Sequence, residues 1–232
     1  DMAARRLFGT RVHIPRHFLL AGVTVIAWSS DVAAQALDID QPEIKAGERE
    51  LRSVNIGNFS RRQGAAEAPR TSHELGGAYS PSDWFKGIVH LDVENLSAEG
   101  LIADHVGIET FTLLGKAPED GGLALTWYTG LMISTDASST NSLIFGPIIK
   151  LTQGKTSLTL NTYLEDTFGR NSGPGLNFLY GWQGRYEVSD KLAFGIEGFG
   201  KAENIGSSPD LDEQDHRLGP AVFFSLEAGN GR

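Results

Sequence analysis

Hydrophobic and polar positions alternate along most of the chain, and one stretch shows the pattern at unusual length. Over residues 174–188 one side of an extended chain carries Leu176, Phe178, Tyr180, Trp182, Tyr186 and Val188, and the other carries Asn177, Gln183, Arg185 and Glu187. Strands of soluble sheets usually run ~5–6 residues, whereas a tilted strand that crosses a bilayer needs ~9–11. The pattern therefore predicts a strand of membrane-spanning length.

The alternation recurs and divides the chain into ten strand-like segments. They cover residues 48–59, 70–79, 84–96, 101–114, 122–135, 142–152, 156–168, 175–188, 191–202 and 216–228. Tight turns follow the even-numbered segments and longer polar loops follow the odd-numbered ones, with 116–122 as a longer turn than expected. Bacterial outer-membrane barrels have short periplasmic turns and longer outer loops. We predict an all-β fold, an antiparallel up-and-down transmembrane β-barrel with about ten strands present and about twelve in a full-length relative.

Ionisable side chains fall on one side of the predicted strands. In the segment 84–96, Phe85, Val89, Leu91 and Val93 alternate with Lys86, His90, Asp92 and Glu94. Side chains on the lumen side of a barrel either pair into a network that fills it or line a channel and set its selectivity. Our candidates for lining the lumen are His90, Asp92, Glu94, His105, Glu109, Lys150, Glu165, Arg185, Glu187 and Glu197.

Two further features concern strand ends and strand interiors. Aromatic residues near the inferred ends are typical of interfacial girdles or of ordinary packing. They are Tyr79, Trp84, Trp182 and Tyr186 on one side and Phe59, Phe168 and Phe199 on the other.

Pro147 and Pro220 follow glycines inside apparent strands. Because proline cannot donate to a ladder, we predict Gly-Pro bulges at both sites.

The N-terminal region is typical of an export signal. A basic flank precedes an apolar run from Phe18 to Trp28, and small residues around Ala34 and Ala36 offer cleavage sites. An amphipathic surface helix that stays attached is the alternative. We predict a signal peptide at 1–34, a periplasmic lead at 35–47 and a barrel domain at 48–232. We also expect the barrel to be truncated, because residue 1 is Asp and the chain stops at the turn-like Gly229-Asn230-Gly231-Arg232.

Composition limits the possible functions. The chain has 232 residues, 28 of them glycine and none cysteine, and a formal net charge of −9. Thiolate metal sites, disulfides and cysteine nucleophiles are excluded, and the acidic balance argues against nucleic acid as a partner. No apolar run approaches the ~18 residues of a membrane helix.

Four stretches resemble a known family: Glu43 to Leu51, Ala78 to Phe85, Gly181 to Tyr186 and His216 to Phe224. They are similar to an exported, porin-like outer-membrane β-barrel family of proteobacteria, and more distantly to transporters linked to aromatic-compound degradation. The resemblance implies passive transport of small solutes through a barrel of about a dozen strands. It carries over no catalytic residue.

Two other functions remain open. His216 beside Asp215, with Ser207, Ser208 or Ser225, is the arrangement that hints at a lipid-modifying hydrolase, although nucleophile and base must lie within hydrogen-bond reach. A soluble periplasmic β-sandwich that binds a ligand is the other alternative. The acidic loop of Asp210, Asp212, Glu213 and Asp215 lacks the spacing of a calcium loop. We therefore predict a non-enzymatic, porin-like protein with outer-membrane lipid and small solutes as partners, and no catalytic residue, metal or cofactor.

Overall fold

The computed structural model describes residues 18–27, 39–58, 70–96, 100–135, 140–207 and 214–224. Eleven strands lie in these ranges: β1 Phe18–Ala27, β2 Arg49–Asn58, β3 Arg70–Tyr79, β4 Phe85–Leu96, β5 Gly100–Gly115, β6 Gly121–Ser134, β7 Asn141–Gln153, β8 Thr156–Phe168, β9 Leu176–Ser189, β10 Leu192–Ala202 and β11 Asp215–Phe224. None of the described residues belongs to a helix long and apolar enough to cross a membrane.

All eleven strands form one sheet in sequence order, from β1 to β11. The ten strands β2 to β11 run up and down antiparallel, and the sheet curls into a half-barrel. This confirms the predicted all-β, up-and-down fold. The alternative of a sandwich with strands near five residues does not agree with one sheet of strands that are 10 to 16 residues long.

The strand limits follow the alternation closely. Strands β3 and β8 have the predicted limits, 70–79 and 156–168. Two-residue turns join β7 to β8 at 154–155 and β9 to β10 at 190–191, whereas 169–175 and 203–214 join strands at the opposite end. We call these two ends of the sheet the short-turn end and the long-loop end. At these four connections the difference agrees with the segment pattern, but the connection 80–84 at the short-turn end is longer than the connection 97–99 at the long-loop end.

The predicted Gly-Pro bulges are wrong. At Pro147 the β7–β8 ladder lacks two pairs but resumes in the same register, because Phe145 pairs with Leu164 and Ile148 with Asn161. Pro220 pairs with Ile196 without a register shift, in a strand that borders the described sheet and whose other side carries no described ladder. Proline is tolerated at such an edge because the missing donor breaks no ladder bond. The described register shifts lie instead at Asp92/Val93, Leu113/Gly115 and Leu192/Ala193.

The region before β2 differs in two ways from a simple lead. Strand β1, which lies inside the predicted signal peptide, pairs parallel with β2. Residues 39–47, which we call the lead segment, lie against the inner face of the curled sheet. Pro42 accepts a hydrogen bond from Thr126 on β6 at 2.9 Å, and Asp40 accepts one from Tyr163 on β8 at 2.9 Å. The predicted lead thus fills space that a channel would use.

An apolar core lies between the lead segment and the sheet. Ile44 packs there among inward-facing residues of β3 to β7, namely Ala78, Ile88, Phe111, Tyr128, Met132, Ile144 and Ile148. Burying a large aliphatic or aromatic side chain stabilises a fold by roughly 1.5–3 kcal/mol, so these contacts hold the lead segment in place. The inner face therefore combines apolar packing with the polar groups that the alternation predicts.

Candidate functional site

The ten candidate lumen residues share the inner face of the sheet. His90 and Glu109 are buried on neighbouring strands, and Glu165 is buried on β8. Six others are half-buried: Asp92, Glu94, His105, Lys150, Arg185 and Glu197. Glu187 is exposed beside the short-turn end. The residues do not form one site, because they divide into a cluster on β2 to β5 and smaller groups further along the sheet.

The central cluster surrounds His90 on β4. Its Nδ1 lies 3.2 Å from Glu74 Oε2 on β3 and 3.6 Å from Asp92 Oδ1 on the same strand. On the other side of the ring, Nε2 lies 3.9 Å from Glu109 Oε1 on β5. The side chain of His90 is only 1% exposed. We call His90, Glu74, Asp92 and Glu109 the His90 cluster.

One cation is shared among the carboxylates near this cluster. The Nε of Arg52 on β2 lies 2.9 Å from Glu74 Oε1, and its Nη1 lies 3.9 Å from both Asp40 Oδ1 and Glu109 Oε2. The guanidinium is planar and delocalised, so it suits a partly buried ion pair better than an ammonium does. It ties the lead segment to β2, β3 and β5 at the level of His90.

Two glycines make room for the imidazole of His90. Gly76 on β3 and Gly107 on β5 are the cross-strand partners of His90. A Cβ at Gly107 would overlap the ring, and a Cβ at Gly76 would lie 2.7 Å from Cβ of His90. Glycine on both flanks therefore lets the ring lie flat between its neighbours. The sequence places a bulky ring opposite two positions without side chains.

Aromatic residues of the apolar core contact the His90 cluster through Tyr128. The hydroxyl of Tyr128 donates to Glu109 Oε1 at 3.0 Å. Its ring meets Phe111 edge-on at 5.2 Å and Tyr163 at 4.8 Å between centroids. Such pairs contribute ≈ 0.5–1.5 kcal/mol beyond their buried area. Tyr128 thus joins the apolar core to the charged cluster and fixes the direction of Glu109.

A second polar group lies on β8 to β10. Glu165 pairs with Lys201 Nζ at 2.8 Å and accepts from Asn177 Nδ2 at 2.9 Å. Beside it, Gln183 Nε2 donates to Glu197 Oε1 at 2.7 Å. These side chains satisfy one another, so they make a structural network that closes the inner surface of this wall.

Four further candidates lie elsewhere on the inner face. His105 lies near the long-loop end, where its ring contacts Asp104 at 2.8 Å and the carbonyl of Thr140 at 2.9 Å. Lys150 pairs with Glu43 of the lead segment. Arg185 packs over the ring of Phe223 at 4.9 Å, near Glu187. These contacts position a wall or the lead segment, and His105 also borders the His90 cluster as the cross-strand partner of Asp92.

The sequence pattern did not identify four residues of the inner face and the lead segment that matter at this site. Arg52 and Glu74 share the parity of the inner face on β2 and β3, so the same period-two pattern could have found them. The inner-face position of Tyr128 was not predicted, because an aromatic residue on a barrel strand suggests a lipid-facing position. Asp40 gives no periodic signal, since it precedes the first antiparallel strand.

The hydrolase alternative gains no support from the described side chains. His216 is exposed on β11, and its Nδ1 contacts the hydroxyl of Tyr180 at 2.8 Å. Ser207 accepts a hydrogen bond from Asn204 Nδ2 at 2.7 Å in the preceding loop. Ser208, Ser225 and the acidic residues Asp210, Asp212 and Glu213 lie outside the described residues.

The outer face of the same strands is apolar and exposed. Each strand from β2 to β11 has at least one large apolar residue there, including Leu51, Leu75, Val89, Ile108, Leu123, Leu151, Leu158, Tyr186, Phe194 and Leu218. Tyr79, Trp84, Tyr186 and Phe168 are exposed near strand ends, as a girdle requires. The prediction that Phe199 belongs to a girdle is wrong, because this side chain is 6% exposed and lies on the inner face. It shares the parity of Glu197 and Lys201. Phe59 lies outside the described residues.

Comparison with known proteins provides no family. No family model, curated protein or solved structure matches the chain. The chemistry of the site must therefore be argued from the geometry alone.

Proposed function

We propose that this chain is a non-enzymatic outer-membrane β-barrel protein that passes small polar solutes along its inner face. The observation that carries the proposal is the exposed apolar surface on every antiparallel strand, opposite a buried polar face. Monomeric soluble proteins rarely expose a contiguous apolar patch above a few hundred Å². A lipid environment accommodates such a surface. Because open sheet edges do not occur in hydrocarbon, the proposal also requires the two edges of the described sheet to be closed by further pairing.

The proposal includes the direction of the chain and its processing. The short-turn end corresponds to the periplasmic side and the long-loop end to the outside, as in bacterial outer-membrane barrels. Residues 1–34 act as a cleavable signal peptide, so strand β1 would be absent from the exported protein. N-terminal sequencing of the chain recovered from outer membranes tests this. A start near Gln35 or Leu37 supports it, and a chain that keeps β1 contradicts it.

The lead segment acts in this proposal as an internal constriction. It lies on the inner face and is held by Arg52 on β2, Thr126 on β6 and Tyr163 on β8. Solutes would pass only beside it or after it moves. Because acidic side chains outnumber lysine and arginine among the ten inner-face candidates, six to two, we expect cations and neutral solutes to pass more easily than anions.

The test is membrane conductance of the chain that begins at Gln35, refolded in detergent and inserted into planar bilayers. We expect a small cation-preferring conductance that rises in the double variant Asp40→Asn/Lys150→Gln, since both changes weaken the hold on the lead segment. Lys155→Gln, in the exposed turn 154–155, is the matched control and should leave conductance unchanged. A chain that stays monodisperse in buffer without detergent, or that shows strong anion selectivity, would contradict the proposal.

A further inference from the structure

We propose that the His90 cluster is a binding site for one divalent transition-metal ion such as Zn²⁺, with His90 Nδ1, Glu74 Oε2 and Asp92 Oδ1 as ligands. This inference requires the fold but not solute passage. The three ligand atoms lie within 4.8 Å of one another, and this is the group of metal-ligating side chains that the described residues bring together. The sequence alone predicts no metal site, and it gives no sign that Glu74 on β3 meets His90 on β4.

The spacing of the ligand atoms matches the size of such an ion. Zn–N and Zn–O bonds of about 2.0–2.2 Å place neighbouring ligands of a tetrahedral ion about 3.3–3.6 Å apart. The distances from His90 Nδ1 to Glu74 and to Asp92 are 3.2 and 3.6 Å. The third pair of ligand atoms, Glu74 Oε2 and Asp92 Oδ1, lies within 4.8 Å.

The groups around the buried ring of His90 also favour a bound cation. The side chain of His90 is 1% exposed, and its ring nitrogens face carboxylate oxygens of Glu74, Asp92 and Glu109 at 3.2, 3.6 and 3.9 Å. Buried charges in proteins are usually paired with one another or coordinate a metal ion, and this site gathers three carboxylates around one imidazole. Nδ1 faces two carboxylates, and a cation there would satisfy all three groups.

Neighbouring charged side chains lie beside two of the proposed ligands. Glu109 Oε1 faces the other ring nitrogen, Nε2, at 3.9 Å and is itself fixed by Tyr128. At 3.9 Å Glu109 does not hydrogen-bond Nε2, so its carboxylate adds negative charge beside the ring without fixing the tautomer. Arg52 holds the remaining oxygen of Glu74, Oε1, at 2.9 Å, which leaves Oε2 directed at His90.

The ligand set also indicates which ions should bind. One imidazole and two carboxylates suit Zn²⁺, Co²⁺ or Cu²⁺, whereas Ca²⁺ and Mg²⁺ prefer oxygen ligands alone. We therefore expect Zn²⁺ to bind at least tenfold more tightly than Mg²⁺ at this site. Equal affinities would overturn the assignment of His90 as a ligand.

The test is metal binding by the untagged full chain refolded in detergent, measured by calorimetry and by metal analysis after dialysis. We expect one Zn²⁺ for each chain, and at least tenfold weaker binding in His90→Gln and in Glu74→Gln. His73→Gln is the matched control, because His73 neighbours Glu74 on β3 but hydrogen-bonds Asn55 instead. Unchanged affinity in His90→Gln, or an equal loss in His73→Gln, would overturn the proposal.

A second measurement does not depend on the variants folding. Pulsed electron paramagnetic resonance of the wild-type chain loaded with one Cu²⁺ should show coupling to a single imidazole nitrogen. A spectrum without imidazole coupling overturns the site. Either result leaves the conductance test unaffected, so failure of the metal site and failure of the proposed function can be told apart.

Discussion

The two faces of the sheet obey opposite rules although they alternate along the same strands. On β5, Ile108 is 51% exposed on the outer face, while its neighbour Glu109 is 6% exposed on the inner face. A soluble domain would bury the isoleucine and expose the glutamate. The inversion indicates that the two faces meet different environments, and that the inner one is closed by the lead segment.

The largest expected effect comes from placing a charge on the outer face. If Ile108 faces lipid, Ile108→Arg should lower the free energy of unfolding in lipid vesicles by about 2–4 kcal/mol, as arginine does near the bilayer midplane. Urea unfolding followed by tryptophan fluorescence measures this. Leu101→Arg, near the long-loop end of the same strand and 69% exposed, is the matched control and should cost about 0–1 kcal/mol.

A small effect of Ile108→Arg would contradict the assignment of the outer face to lipid. Substituting an exposed residue of a water-soluble surface usually changes stability by less than about 0.5 kcal/mol. If Ile108→Arg behaved in this way, the outer face would meet water, and the case for a membrane protein would lose its main support.

A smaller effect is expected from filling the space beside His90. Gly76→Ala brings a methyl group to 2.7 Å from Cβ of His90 and 3.0 Å from the carbonyl oxygen of Val89. Overpacking of this kind costs about 1–3 kcal/mol. Gly77→Ala is the control on the same strand, because its nearest atom is the carbonyl oxygen of Glu50 at 4.0 Å. Equal stability of the two variants in vesicles would show that the inner face is loosely packed.

The smallest effect concerns one hydrogen bond on the inner face. Tyr128→Phe removes the donor to Glu109 and should cost about 1–2 kcal/mol, since a buried carboxylate oxygen loses its partner. Tyr186→Phe, at an exposed outer position, should change stability by less than about 0.5 kcal/mol. A larger loss in Tyr186→Phe than in Tyr128→Phe would reverse the assignment of the two faces.

Much of the wall could be predicted from the sequence, since strand side chains alternate with a period of two. That period located β3 and β8 to the residue and placed His90 and Glu109 on one face. It failed where the signal is not periodic. Phe199 was assigned by residue type instead of parity, and the bulges were assigned to prolines, although Pro147 and Pro220 cause no register shift.

The sequence by itself determined the strands, their order, and which side chains share a face, because these depend on neighbours one or two positions apart. Only the tertiary structure decided what occupies the inner face. The lead segment contacts strands 84 and 123 residues further along the chain, through Thr126 and Tyr163. The convergence of Glu74, His90 and Glu109 likewise depends on the register of three strands. Contacts of this kind depend on shape and charge across the curled sheet, which no local pattern encodes.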